Sequence, residues 1–204
     1  VVASGAAAVA SAVVASAAVA SAVAVVAASG AVAPREDGEM DLRRLWRHLT
    51  TWPLHTRRRF PAATLSAIET AIASVESRHA GEIRFAVETS LDLRSLRVGL
   101  EPRTRALEVF GLLRVWDTQR NNGVLIYLLM ADRDVEIIAD RGIAARVPTA
   151  QWEAVCREME THFREERWRD GALAGVEGVA ALLAEHFPHE GGDANEQPNR
   201  PVLL

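Results

Sequence analysis

Val124 to Met130 is an unbroken apolar run with Gly123 before it and Asp132 just beyond it. Seven residues are too few to cross a membrane, and no position in the run offers a polar face to water. Such a segment belongs in a central strand covered on both faces. Val135 to Ala139 follows directly, so Asp132-Arg133 reads as a tight hairpin turn and the two strands as antiparallel. If Ala131 faces Asp134, Asp140 falls beside Leu125.

The flanking sequence supplies the layers. Pro61 suits the first turn of a helix, and Leu65, Ile68, Ile72 and Val75 give it one apolar stripe. Ile83, Phe85 and Val87 alternate with Glu82, Arg84 and Glu88, which predicts a strand with one wetter face. Pro102 opens a helix carrying Ala106, Val109, Phe110 and Leu113. Trp152, Val155, Cys156, Met159 and Phe163 line the next helix, and Leu173, Val176, Ala180, Leu183 and Phe187 the last. In that last helix Gly171, Gly175 and Gly178 suit close helix packing. The first crossover should be right-handed, making the first two strands parallel. The fold class is therefore α/β: a three-layer sandwich with a mixed three- or four-stranded sheet and helices on both faces. Leu93 to Leu100 is the candidate fourth strand.

The 204 residues divide at 39, 60 and 188. Residues 1–34 contain only Val, Ala, Ser, Gly and one Pro. The run is long enough for a membrane span, yet it has no basic residue ahead of it and no Leu, Ile or Phe. Residues 1–39 are read as a signal, an anchor or a misplaced start, without core contacts to the domain. Residues 40–60 form a basic arm in which Leu42, Leu45, Trp46 and Leu49 recur at helical spacing. Arg43, Arg44 and Arg47 could meet an anionic membrane surface, or the arginines could form a solvated face with Trp46 packed on the domain. Residues 61–188 are the folded domain, and 189–204 a tail ordered only by docking. Placement is cytoplasmic or peripheral to the membrane; a genuine signal or anchor would make it periplasmic or membrane-anchored.

Composition removes several chemistries. Cys156 is the sole cysteine, so disulfide scaffolds and Cys-x-x-Cys sites are excluded. All 23 basic residues are arginine, which excludes Schiff-base lysines and the P-loop lysine. The formal charge is −4, and from Pro61 onward 23 acids outnumber 16 arginines, so no nucleic acid partner is expected.

The segment Arg114-Val-Trp-Asp-Thr-Gln-Arg-Asn-Asn-Gly-Val-Leu-Ile-Tyr-Leu-Leu-Met130, then Asp132-Arg-Asp-Val-Glu-Ile-Ile-Ala-Asp-Arg-Gly142, resembles the TPM domain family in its short bacterial branch. Gly81-Glu-Ile-Arg-Phe85 and the Asn195-Glu-Gln-Pro tail are similar too. The resemblance covers Pro61 to Phe187 and extends toward both ends. It implies relatives that include a thylakoid-lumen protein of photosystem II repair with weak phosphatase activity, and bacterial proteins of unknown role. It also implies divalent-cation binding through acidic residues in some members. Many relatives carry a signal peptide and a membrane span after the domain; no apolar run of spanning length follows Phe187 here.

Two clusters of oxygen and charge stand at opposite sheet ends. Where the second strand begins, Asp117, Asn122 and Asp140 form a candidate site for calcium or magnesium, with Arg141 as a candidate phosphate contact. Ordinary structure explains the same residues: Asn122-Gly123 for positive φ, Asp117 as a cap, Asp140 in a salt bridge. At the other end Glu88, Asp132 and Arg133 form a second candidate site, in the crevice where parallel strands finish. Asp132-Arg133 also suits a surface turn. Two function classes follow. One is a noncatalytic module binding a partner protein, near a membrane and with a weak divalent-cation site. The other is a metal-assisted phosphatase-like hydrolase.

Overall fold

The computed structural model describes residues 27–28, 41–189 and 195–204. In chain order the elements are β1 (Ala27–Ala28), α1 (Leu42–Thr50), α2 (Pro53–Arg59) and α3 (Ala62–Val75), then β2 (Glu82–Glu88), α4 (Leu93–Arg97) and α5 (Pro102–Leu112). They continue with β3 (Gly123–Leu129), β4 (Asp134–Ala139), α6 (Arg141–Ala144), α7 (Thr149–Arg164), α8 (Trp168–His186) and β5 (Val202–Leu203).

The sheet runs β1-β4-β3-β2-β5. Its middle strand is β3, parallel to β2 and antiparallel to β4, as an all-apolar strand between partly polar neighbours requires. Helices cover both faces. Ile83, Phe85, Val87, Ile126, Leu128 and Ile137 pack with α3, α7 and α8. Ala86, Leu125, Tyr127, Leu129 and Ile138 pack with α4 and α5 on the other face. Alternation along each strand divides the side chains between the two cores. This is the three-layer α/β sandwich with a mixed sheet.

The hairpin register differs from expectation by two residues. Leu129 pairs with Asp134 and Val124 with Ala139. Met130 and Ala131 are drawn instead to the parallel neighbour, their N–H groups donating to Glu88 O at 2.9 Å and Thr89 O at 3.1 Å. The connection is therefore a four-residue turn, with Arg133 at φ 55° and its N–H on Met130 O. A slip of two leaves every side chain on its expected face. It moves Asp140 from beside Leu125 to beside Gly123, whose carbonyl accepts Asp140 N–H at 2.8 Å.

Three further differences concern edges. Leu93 to Leu100 is not a strand: Asp92 caps Ser95 N–H at 2.9 Å and starts the short helix α4. Added strands come from the chain ends. Val202–Leu203 pairs parallel with Ala86 and Val87, and Ala27–Ala28 pairs antiparallel with Ile138 and Ile137. Those two alanines thus pair with the sheet edge, where the expectation was that residues before Met40 make no core contacts with the domain; the rest of that run lies outside the described residues. Finally, β2 has no wet face, because every residue from Glu82 to Glu88 is buried. The tail covers the polar side. Glu82 accepts the N–H groups of Glu196 at 3.2 Å and Gln197 at 3.3 Å, and Arg84 donates to Pro198 O.

The glycines of α8 bear out their reading as packing residues. A Cβ on Gly171 would stand 2.6 Å from the Phe163 ring, and on Gly178 3.0 Å from Val155. Helices α7 and α8 approach this closely only where side chains are missing.

Candidate functional site

The beginning of β3 places Asn122, Asp140 and Arg141 together. Backbone bonds set the arrangement: Asp140 N–H lies on Gly123 O, and Gly142 N–H on Asn121 O at 3.2 Å. Asp140 caps α6, its Oδ1 accepting Arg141 N–H at 2.6 Å, while its Oδ2 is buried without a hydrogen-bond partner. Burial raises the Asp140 carboxyl above the usual range, with Arg141 N–H pulling the other way. Asn122 is buried as well. Its Nδ2 donates to Ala80 O and its Oδ1 has no partner. Arg141 Nε donates to Asn121 Oδ1 at 3.2 Å. Asp117 is exposed on the preceding loop.

The glycine beside this cluster has a different role from the expected one. Positive φ belongs to Asn121, at 52°, rather than to Gly123. Gly123 is required because the Val115 carbonyl occupies the space a Cβ would need.

At the opposite sheet end the three candidates separate. Glu88 turns into the α5 face, where its carboxylate accepts Arg105 Nε at 2.9 Å and Tyr127 hydroxyl at 2.7 Å. Burial, and then the charge of Glu88, pushes the Tyr127 phenol well up. Arg133 reaches outward to Glu166 at 3.1 Å. Asp132 belongs to the arm. Arg44 Nε donates to it at 2.9 Å, Arg47 Nη2 at 3.1 Å, and His48 Nε2 stands 3.1 Å away. Leu91 N–H donates to His48 Nδ1 at 3.0 Å, so the ring hydrogen is left for Nε2, facing Asp132. Burial would raise the Asp132 carboxyl, but His48 and Arg44 outweigh it and hold the group below its ordinary range.

This network turns α1 over. The arm was read with its arginines outward, yet Arg44 points inward to Asp132 and to Leu100 O at 2.8 Å. Leu45 packs against the α4–α5 core, and His48 is buried. Leu42 and Trp46 are left 70% and 68% exposed, with Leu49, Trp52 and Leu54 also exposed. Trp46 does not pack on the domain. Five large apolar side chains of α1, α2 and the turn between them are thus left to solvent.

Sequence reasoning missed the carboxylates under the tail. Glu76 accepts Asn199 Nδ2 at 2.8 Å and Asn195 Nδ2 at 3.2 Å, beside the Glu82 contacts. The amide-rich Asn195-Glu-Gln-Pro segment was the available signal, since amide donors need acceptors. Cys156 is buried, and burial pushes its thiol up, which suits packing and not attack. Among the described residues no group of three or more His, Cys, Asp or Glu could hold a metal, and no helix is long and apolar enough to cross a membrane.

Comparison with known proteins follows the fold. A family model described as the TPM domain matches residues 57–182. The NMR structure of BA42 protein from the psychrophilic bacterium Bizionia argentinensis is 29% identical, covering 70% of this chain and 94% of that one, with a TM-score of 0.63. The N-terminal domain of a protein from P. gingivalis, also solved by NMR, is 21% identical over 64% of this chain and 82% of that one, with a TM-score of 0.50. That second likeness concerns fold alone. No curated protein matches the chain.

Proposed function

The chain belongs to the TPM domain family, and from that premise we propose that it acts as a noncatalytic binding module whose docking face is the outer side of α1 and α2. The observation that carries this reading is the apolar surface of Leu42, Trp46, Leu49, Trp52 and Leu54. Exposing these side chains forgoes about 1.5–3 kcal/mol of burial for each large one, so a partner that covers them gains what folding left unused. The charged groups beneath serve to hold α1 in place: Arg44 and His48 face Asp132. Glu88, the other candidate carboxylate of that sheet end, is taken up by Arg105 and Tyr127.

A photo-crosslinking residue at Trp46, expressed in the full chain in its native cells, tests the reading. The expected result is one dominant adduct from position 46 and none from the equally exposed Leu112 on α5. The same diffuse labelling from both positions would count against a docking face.

One observation favours a second reading, the metal-assisted phosphatase-like hydrolase. Asn122 Oδ1 and Asp140 Oδ2 are buried oxygens without partners, at neighbouring backbone positions. Buried acceptors left unpaired are uncommon and suit a hard cation. Asn122 and Asp140 would hold calcium or magnesium there, with Asp117 supplying a further carboxylate from the loop. The cation would supply Lewis acidity to a bound water. Arg141, held by Asn121, would place its guanidinium toward a phosphate oxygen. Two buried oxygens are few for such a site, and the binding module remains the primary reading.

A further inference from the structure

We propose that the occupant of the α1–α2 face is an anionic lipid surface. The inference rests on the reading of that face as the docking surface, and it names what docks there. Leu42, Trp46 and Leu49 stand at i, i+4 and i+7, one line along α1, and Trp52 and Leu54 continue the apolar surface across the turn into α2. No acidic residue occurs from Leu42 to Phe60, whereas Arg43, Arg57 and Arg58 are exposed there. Helix α4 extends the pattern. Its flanks are tied to α1 by Leu91 N–H on His48 and by Arg44 on Leu100 O. It brings exposed Leu93 and Val98, with Arg94 and Arg97, and again no acid from Leu93 to Leu100. The acids that border the surface include Asp41 and Asp92, both helix caps, Glu101, and at the α2 end Glu166, which pairs with Arg59 at 3.2 Å.

The chemistry favours lipid over protein. Charge of one sign alone stands between the apolar side chains, with no acid from Leu42 to Phe60 or from Leu93 to Leu100, which is what an anionic bilayer attracts. Apolar side chains that enter the acyl boundary, indole rings at headgroup level and guanidinium groups on phosphates are the three contacts of an interfacial helix. Arg43, Arg47, Arg57, Arg58, Arg94 and Arg97 are exposed on this face of a chain whose net charge is −4, so the attraction is local. Because Arg44, His48 and Asp132 clamp α1 from below, its apolar line cannot turn inward.

The test uses the full chain with vesicles of phosphatidylcholine alone or enriched in phosphatidylglycerol. Co-sedimentation and tryptophan emission are read, with melting curves for every variant. The expected result is binding to the anionic vesicles, with a blue shift, and release by salt. Arg43→Gln, Arg57→Gln and Arg58→Gln together should weaken binding about a hundredfold, roughly five-fold for each charge. Trp46→Ser with Trp52→Ser should abolish the blue shift at unchanged melting temperature. Should that pair melt early, Leu42→Ser gives the same comparison. Equal binding to neutral vesicles, or none to either, overturns the proposal. If no vesicle binds but the chain self-associates through Trp46 and Trp52, lipid is excluded and the docking-face reading stands. If tryptophan substitution alters neither vesicle binding nor self-association, and the Trp46 crosslink is as diffuse as that at Leu112, both readings fail.

Discussion

Arg44 Nε donates to Asp132 Oδ2 at 2.9 Å, across 88 positions of sequence, and joins the arm to the turn between β3 and β4. Both side chains are largely buried, at 15% and 8% exposure, so the pair is poorly screened. It decides which side of α1 faces water, and with it what the surface can bind.

Removing that carboxylate should release the arm. Asp132→Asn is expected to cost about 2–3 kcal/mol, because Arg44 keeps its burial and loses its counter-charge. Hydrogen exchange in α1 should accelerate while β3 stays protected. Acid should act similarly. A carboxyl held below its unfolded value contributes stability above that value, and loses it as pH falls through the lowered folded one. Unchanged exchange in α1 would show that the clamp is incidental.

Gly123→Ala should be among the most damaging single substitutions. The new methyl group meets the Val115 carbonyl, a backbone atom that cannot rotate away. A loss of roughly 3 kcal/mol or more, or failure to fold, is expected from overpacking between β3 and its entry loop. Gly111→Ala, where the space is open, is the control and should be harmless.

His79 carries a pH signature. It is buried at the bridge to Pro188, and burial chiefly lowers its pKa from 6.5 to about 4. Between those values the unfolded chain binds a proton that the folded chain does not, so stability falls as pH falls through this window. The full effect is roughly 3 kcal/mol. Asp134 acts oppositely, since burial raises it to about 7 and the folded form takes up its proton first. The difference between wild type and His79→Gln isolates the imidazole. Denaturation curves from pH 7 to 4 should converge in acid, the wild type losing more.

The tail should behave as part of the fold. Glu82 accepts two backbone N–H groups from Glu196 and Gln197, and a glutamine in its place can offer only one oxygen. Glu82→Gln should cost about 1–2 kcal/mol and expose the tail to protease. Resistance equal to wild type would mean that Val202–Leu203 pairing alone suffices.

Calcium separates the two functional readings at the β3 entrance. Asp117→Asn with Asp140→Asn should abolish any calcium-induced rise in melting temperature and leave the metal-free fold intact. Because burial raises the Asp140 carboxyl, protons should compete with the metal at higher pH than at an ordinary carboxylate. No calcium-dependent shift in the wild type at millimolar metal would leave the hydrolase without a centre.

The sequence alone determined what depends on periodicity and local chemistry. Val124 to Met130 had to be central, since no face of it tolerates water, and the stripes of α3, α5, α7 and α8 follow from 3.6-residue spacing. Pro61 and Pro102 marked two helix starts, and the close-packed glycines of α8 were legible as such. The TPM resemblance lay in β3 and β4 with the loops around them, in the start of β2 and in the tail. Tertiary structure decided what depends on pairs far apart in the chain. Which ladder would claim Met130 and Ala131 turned on competition between β2 and β4, and that set the place of Asp140. Glu82 and Arg84 alternate like a wet face but are dry, because a segment more than a hundred residues later covers them. The arginines of α1 look alike in one dimension; only the position of Asp132 selects Arg44 for the interior and leaves Leu42 and Trp46 outside. Hydrophobic period is a property of neighbours in sequence, whereas charge pairing and edge coverage are properties of neighbours in space.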